Sequence, residues 1–216
     1  MVEIYIDDVV VKSRDFIRHL ADLRKVLECI RKHGLKINPN KCAFGVSAGQ
    51  FLGFMVHQRG IEISRRYIDA IGKVVAPTNK TKLQSLIGKI NFIRRFISNL
   101  SGKIHAFSPL LKLKADLEFV WGKEEQLALD EIKNYLANPP VLVPPKHGKP
   151  FRLYLFTDDA VIGSALIKEF EGKEHVIYYL STRLVDAETW YSASVRLNGL
   201  NGRLNGKRWQ TVFFRG

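Results

Sequence analysis

Two cysteines in 216 residues, Cys29 and Cys42, leave no disulfide framework and no paired spacing for a zinc site. Both read as packed thiols, one on an expected helix and one on an expected strand. No apolar run approaches the roughly 18 residues of a membrane span. The first thirty residues carry charges throughout, where a signal peptide would have an apolar core. No membrane partner is therefore expected, and an intracellular compartment, cytoplasmic or nuclear, fits best.

Acidic residues are scarce in the first half. Residues 1–113 hold 20 Lys and Arg against 8 Asp and Glu, residues 114–196 hold 10 against 13, and residues 197–216 hold 4 against none. The net charge of +13 thus sits mostly at the front. A basic domain followed by a slightly acidic one suggests a polyanionic partner, most simply a nucleic-acid backbone. A merely basic, soluble surface is the alternative that charge alone leaves open. A composition of 46% hydrophobic and 25% charged residues is that of globular material with one or two cores, not of a disordered tail.

The chain is organised around its opening stretch, Val2-Glu3-Ile4-Tyr5-Ile6-Asp7-Asp8-Val9-Val10-Val11-Lys12. Two β-branched runs joined by adjacent carboxylates read as a hairpin with acids at its tip. Val2, Ile4 and Ile6 alternate with Glu3, Tyr5 and Asp7, the period of a strand with one buried face. Asp7 and Asp8 are both expected to project from the tight turn. Neighbouring carboxylates repel unless a cation sits between them, and Mg²⁺ is bound by one or two carboxylates plus substrate phosphates. A two-metal phosphoryl-transfer site begins this way. Turn chemistry and solubility are the plainer account of the same pair.

Tyr5-Ile6-Asp7-Asp8 resembles the Tyr-x-Asp-Asp box of reverse transcriptases. Leu35-Lys36-Ile37-Asn38-Pro39-Asn40-Lys41-Cys42-Ala43-Phe44, Phe51-Leu52-Gly53-Phe54-Met55-Val56 and Arg59-Gly60-Ile61 follow in order. The series is similar to the Pol polyprotein of gypsy-class long-terminal-repeat retrotransposons. The resemblance implies template-directed addition of deoxynucleotides to a primer, on an RNA/DNA template-primer duplex with deoxynucleoside triphosphates. It implies Asp7 and Asp8 as holders of Mg²⁺ and Tyr5 near the primer or incoming nucleotide. Leu52, Gly53 and Phe54 inherit contact with the primer strand.

Along the chain, Phe16, Leu20, Leu23, Leu27 and Ile30 recur at helical spacing, which predicts a helix packed under a sheet. Ser13 or Asp15 can cap its start and Gly34 its end. Short strands are expected at Leu35 to Asn38 and Cys42 to Val46. A further strand from Gln50 to His57 is expected to turn at Gln58-Arg59-Gly60 into Ile61 to Ile63. A helix begins at Ser64, Pro77 breaks the chain, and a long helix is expected from Thr81 to Leu100. Lys82 and Lys89 on that helix are candidates for duplex backbone contact, although solvated lysines are the common fate of such positions. An amphipathic helix is expected near Glu124 to Leu136, then a stiff segment through Pro139, Pro140, Pro144 and Pro145.

Phe151 to Phe156, Val161 to Lys168 and His175 to Leu180 read as strands and Val185 to Leu197 as a helix, resembling the first half of an RNase H fold. The place of that family's first catalytic Asp is taken by Phe156, with Asp158 and Asp159 nearby out of register, and that of its Glu by Val195. Neither side chain ligates metal, so nuclease activity is not expected. Leu-Asn-Gly occurs at Leu197, Leu200 and Leu204, before Lys207-Arg208-Trp209, and an unstructured end is expected there.

The fold expected is α+β. Residues 1–76 read as the C-terminal part of a palm, 77–113 as a helical thumb, and 114–148 as a connection. Residues 149–197 read as a truncated, degenerate RNase H-like α/β domain and 198–216 as a basic tail. A further Asp and the fingers that precede such a box are not in this sequence, so the chain alone is expected to bind Mg²⁺ poorly and to be inactive. The alternatives are a non-catalytic nucleic-acid-binding module, with Lys82 and Lys89 active, or a non-functional transposon relic.

Overall fold

The computed structural model describes residues 2–13, 15–114, 117–145, 150–157, 160–184 and 189–190, with the backbone alone of 209–213. Helices and sheets are mixed, and the chain forms two compact units, 1–56 and 57–216.

In the first unit, β1 (Val2–Tyr5) and β2 (Asp8–Val11) pair antiparallel, with Tyr5 opposite Asp8. A two-residue turn, Ile6-Asp7, joins them, so only Asp7 is in the turn and Asp8 opens the returning strand. The expected buried face is absent: every residue of β1 is exposed, Ile4 by 70%. Alternation records which face is apolar without recording what lies against it.

Helix α1 (Phe16–Lys32) forms as its spacing predicts. Its end is a Schellman turn, in which Gly34 (φ +66°) donates to Arg31 and Leu35 donates to Ile30. Asp15 occupies the N-cap position without a side-chain bond, and the Ser13 hydroxyl donates instead to Asp22 at 2.6 Å. That bond holds the Asp22 carboxyl below its usual range. No residue of α1 is buried, and Phe16 is 81% exposed, which corrects the expectation of a covered stripe.

The strands expected at 35–38 and 42–46 do not form. Asn38 accepts from the Asn40 N–H and caps a 3₁₀ turn, Pro39–Lys41, and Pro39 has no N–H for a ladder. Strands follow at β3 (Ala48–Phe51) and β4 (Phe54–His57), with Leu52-Gly53 as the turn between them. The expected single strand across 50–57 is thus two.

The second unit opens with β5 (Gly60–Ile63) and α2 (Arg65–Gly72), which Ser64 precedes as N-cap. Helix α3 (Lys80–Phe92) is shorter than expected. The chain breaks at Ile93, forms a 3₁₀ turn (Arg94–Phe96), and restarts at α4 (Leu100–Lys103). Asn99 causes the restart: it adopts the left-handed conformation, φ +47°, and its side chain caps α4 through the Gly102 N–H. A 3₁₀ turn (His105–Phe107), α5 (Ser108–Lys112) and α6 (Lys123–Ala137) complete the helices. Leu83, Leu86, Ile90, Ile93, Phe96, Ile97, Phe107, Leu129, Ile132 and Leu136 form a buried core. Each such side chain contributes about 1.5–3 kcal/mol by leaving water.

Strands β6 (Phe151–Thr157), β7 (Val161–Phe170), β8 (Lys173–Arg183) and β9 (Trp209–Phe213) form a sheet of order β8-β7-β6-β9. The first three are antiparallel neighbours, and β9 runs parallel to β6. An unstructured end is thereby corrected for 209–213, where Trp, Thr, Val and Phe are strand formers and the β6 edge offers a partner. The expected helix at 185–197 and the register of Asp158, Asp159 and Val195 lie outside the described residues, apart from Thr189 and Trp190. Helix α4 packs on β8, and the Ser101 N–H donates to Ser181 Oγ at 2.9 Å. The segment after α6 is stitched at both sides: Ile61 and Leu142 exchange main-chain bonds of 2.8 and 3.0 Å, and the Val143 N–H donates to Val176.

Candidate functional site

The candidate residues fall on three elements. Tyr5, Asp7 and Asp8 are on the β1–β2 hairpin and Leu52, Gly53 and Phe54 on the β3–β4 hairpin, both in the first unit. Lys82 and Lys89 are on α3 in the second.

In the β1–β2 hairpin, the residue between Tyr5 and Asp7 is strained. Ile6 has φ +52°, a left-handed conformation in which a β-branched side chain crowds its own backbone. The turn therefore presents Asp7 and Asp8 on consecutive residues of different local geometry, one in the turn and one on the strand. Both are exposed, and no basic side chain pairs with either among the described residues. The cross-strand pair Lys12–Glu3, 2.6 Å, closes the opposite end of the hairpin and holds the Glu3 carboxyl below its ordinary value. Two adjacent, accessible carboxylates are hard-oxygen donors suited to Mg²⁺, which completes its shell with water and phosphate. Among the described residues no group of three or more His, Cys, Asp or Glu is assembled, so the pair supplies a partial ligand set.

The β3–β4 turn repeats the strain. Leu52 has φ +51° and Gly53 φ +80°, the pattern of a tight hairpin turn whose usual occupants are Asn-Gly or Gly-Gly. Leu52 in that position is 37% exposed.

On α3, Lys82 and Lys89 are both exposed. The Lys82 ammonium donates to Thr78 Oγ1 at 2.9 Å, and the Lys89 carbonyl accepts from the Tyr67 hydroxyl at 2.8 Å. Both lysines line a groove of about 370 Å³ between α2 and α3, together with Lys73. Lys73 escaped the sequence reading because it lies on another element, at the end of α2. Its only sequence signal was membership of the basic first half.

On the sheet, Phe156 pairs with Gly163 and lies 3.7 Å from where a Gly163 Cβ would stand. No helix among the described residues is long and apolar enough to cross a membrane.

Residues 1–56 match the reverse transcriptase (RNA-dependent DNA polymerase) family, and residues 121–197 match the RNase H-like domain found in reverse transcriptase. The Transposon Tf2-3 polyprotein of Schizosaccharomyces pombe is 29% identical over 191 residues, 88% of this chain, and the Tf2-7 polyprotein 28% over the same length. The chain spans about 14% of the length of these polyproteins. Among solved structures, the foamy viral protease-reverse transcriptase dRH in complex with double-stranded DNA superposes with a TM-score of 0.85 at 22% identity, over 98% of this chain and 38% of that one. The foamy viral protease-reverse transcriptase in complex with an RNA/DNA hybrid gives 0.84 at 22% identity, over 98% and 30%.

Proposed function

We propose that this chain, a fragment of retrotransposon Pol type in which a reverse transcriptase segment precedes an RNase H-like one, belongs to an RNA-directed DNA polymerase acting on a primed RNA template. The observation that carries the reading is the β1–β2 turn, where a strained Ile6 sets Asp7 and Asp8 side by side with Tyr5 opposite Asp8. Asp7 and Asp8 hold Mg²⁺, which when bound would activate the primer hydroxyl and neutralise charge on the nucleoside triphosphate. Tyr5 lines the approach of the primer end. Leu52, Gly53 and Phe54 rest against the primer strand, where the absence of a side chain at Gly53 lets another backbone come close. Lys82 and Lys89 contact phosphates without reading sequence. The working divisions are palm (1–76), thumb (77–113), connection (114–148), RNase H-like (149–197) and tail (198–216), and the place of action is intracellular.

With two carboxylates in the ligand set, the isolated chain is expected to hold Mg²⁺ weakly and not to extend a primer. The test is primer extension on a primed RNA template with Mg²⁺, comparing the chain with an Asp7→Asn/Asp8→Asn variant. Extension that disappears in the variant overturns the expected inactivity and supports the assignment of the acids. Extension that survives it overturns the assignment.

A second reading, a non-catalytic duplex-binding module, is favoured by the lysine-lined groove between α2 and α3. It expects duplex binding that is indifferent to the Asp7→Asn/Asp8→Asn change.

A further inference from the structure

We propose that α1 carries a self-association surface whose occupant is a second copy of this chain, packed antiparallel along the groove beside Leu20, Leu23 and Leu27.

None of the described residues among 2–56 is buried. A unit that covers none of its apolar side chains gains little by leaving water on its own. Helix α1 offers the shape for a partner, a groove of about 330 Å³ lined by Leu20, Leu23 and Leu27 and edged by Arg24, Glu28 and Arg31. Leu20 and Leu27 are exposed and Leu23 is half-buried.

Charge selects the occupant. Arg24, Glu28 and Arg31 are exposed, and none has an ion-pair partner among the described residues. Their spacings of four and three would let Glu28 pair with either arginine within the helix, yet both pairs are left open. Asp22, the other acid of α1, already accepts from the Ser13 hydroxyl. A partner of one sign would meet either Glu28 or the two arginines unfavourably. A groove that carries both signs fits a copy of itself, as a two-fold interface requires.

The spacing also sets the register. A two-fold axis midway along the groove, between residues 25 and 26, puts position 24 of one helix opposite position 27 of the other. Leu23 and Leu27 of the two copies then interleave across the axis. Glu28 of each copy is level with Arg24 of the other to within about 1.5 Å along the helix, one residue's rise. Two symmetric ion pairs thus flank an apolar centre. The 17 residues of α1 make a stripe about 25 Å long, small beside the roughly 800 Å² per partner of a standard interface. The dimer is therefore weak and forms in concentrated solution, while the dilute chain keeps α1 bare.

Intrahelical pairing is the other use of the same side chains. It would change stability and leave the mass in solution alone, which separates the two roles.

The experiment is sedimentation equilibrium of the whole chain over a range of concentrations, for the parent, Arg24→Glu, Glu28→Arg and Arg24→Glu/Glu28→Arg, with circular dichroism melting as a fold control. The parent is expected to pass from monomer to dimer mass as concentration rises. Either single reversal sets like charges together at both symmetric pairs and is expected to weaken dimerisation about tenfold or more. The double exchange re-forms both pairs with their signs swapped and is expected to restore it. A parent that stays monomeric, or whose mass grows past the dimer without limit, overturns the proposal. Dimerisation indifferent to the single reversals places the contact elsewhere and overturns the α1 surface. A double exchange that melts like the parent but fails to recover the dimer overturns the antiparallel pairing.

Discussion

The Tyr67 hydroxyl on α2 donates a 2.8 Å hydrogen bond to the main-chain carbonyl of Lys89 on α3, and the Tyr67 ring lies 5.0 Å from that of Phe92. One side chain thus ties together the two helices that bound the lysine-lined groove.

Tyr67→Phe keeps the ring contact and removes the bond, so a loss of about 1 kcal/mol is expected in urea unfolding. It also has a pH signature. Burial raises the Tyr67 phenol above its ordinary 10.0, so the folded state holds that proton more tightly than the unfolded one. The contribution is complete below the ordinary phenol value and is lost as pH rises through the raised one. Melting temperature should therefore fall less steeply above pH 10 in Tyr67→Phe than in the parent. Tyr154 and Tyr179, also raised, leave a residual slope, and identical alkaline profiles would sink the account.

Leucines at similar sequence spacing should respond in opposite ways. Leu129 on α6 is fully buried and Leu20 on α1 is 67% exposed. Leu129→Ala is expected to cost about 2–5 kcal/mol and Leu20→Ala to stay within about 0.5 kcal/mol of the parent. Chemical denaturation of both variants decides it, and a large loss at Leu20 would mean that α1 is covered in solution.

That pair also marks how far the sequence could be read. Helical spacing located α1 and α6, because the period of a helix is written in its own residues. It could not say that Phe16 is bare while Phe96 is sealed, since burial depends on a partner element. The restart at α4 and the turn at Leu52-Gly53 were missed for another reason. Both depend on single residues in the left-handed region, Asn99 and Leu52, and leucine carries no such signal. Tyr5, Asp7 and Asp8 could be grouped from the sequence because they fall within four consecutive residues. Lys73 joins Lys82 and Lys89 only through the bend at 74–77, so no local pattern could group them.

Gly60 and Gly172 separate strain from collision. Both have positive φ, +147° and +74°, but a Cβ on Gly60 would stand 2.2 Å from the Leu142 oxygen, while one on Gly172 meets nothing within 4 Å. Gly172→Ala is expected to cost about 1–2 kcal/mol from conformation alone. Gly60→Ala must also displace the Leu142 carbonyl, which accepts from Ile61 at 2.8 Å, so a larger loss is expected, with about 1 kcal/mol more for each main-chain bond broken. Equal melting points for the two variants would show that the Ile61–Leu142 link bears little of the stability.

Both candidate hairpins keep a large apolar residue where the backbone favours Gly or Asn. Ile6 and Leu52 have φ +52° and +51°, and each such placement costs about 1–2 kcal/mol. If stability were all that mattered, Asn would serve better at Leu52, because Asn-Gly is a preferred pair for this turn. Leu52→Asn is therefore expected to raise the unfolding free energy by about 1 kcal/mol. If Leu52 rests against the primer strand, the same change should weaken binding of an RNA/DNA hybrid, because the apolar contact is lost. Stability and binding would then move in opposite directions in one variant, an outcome that a purely structural turn does not produce. Greater stability with unchanged binding would assign Leu52 to the fold alone, and lower stability would mean that its side chain is held by contacts worth more than the strain.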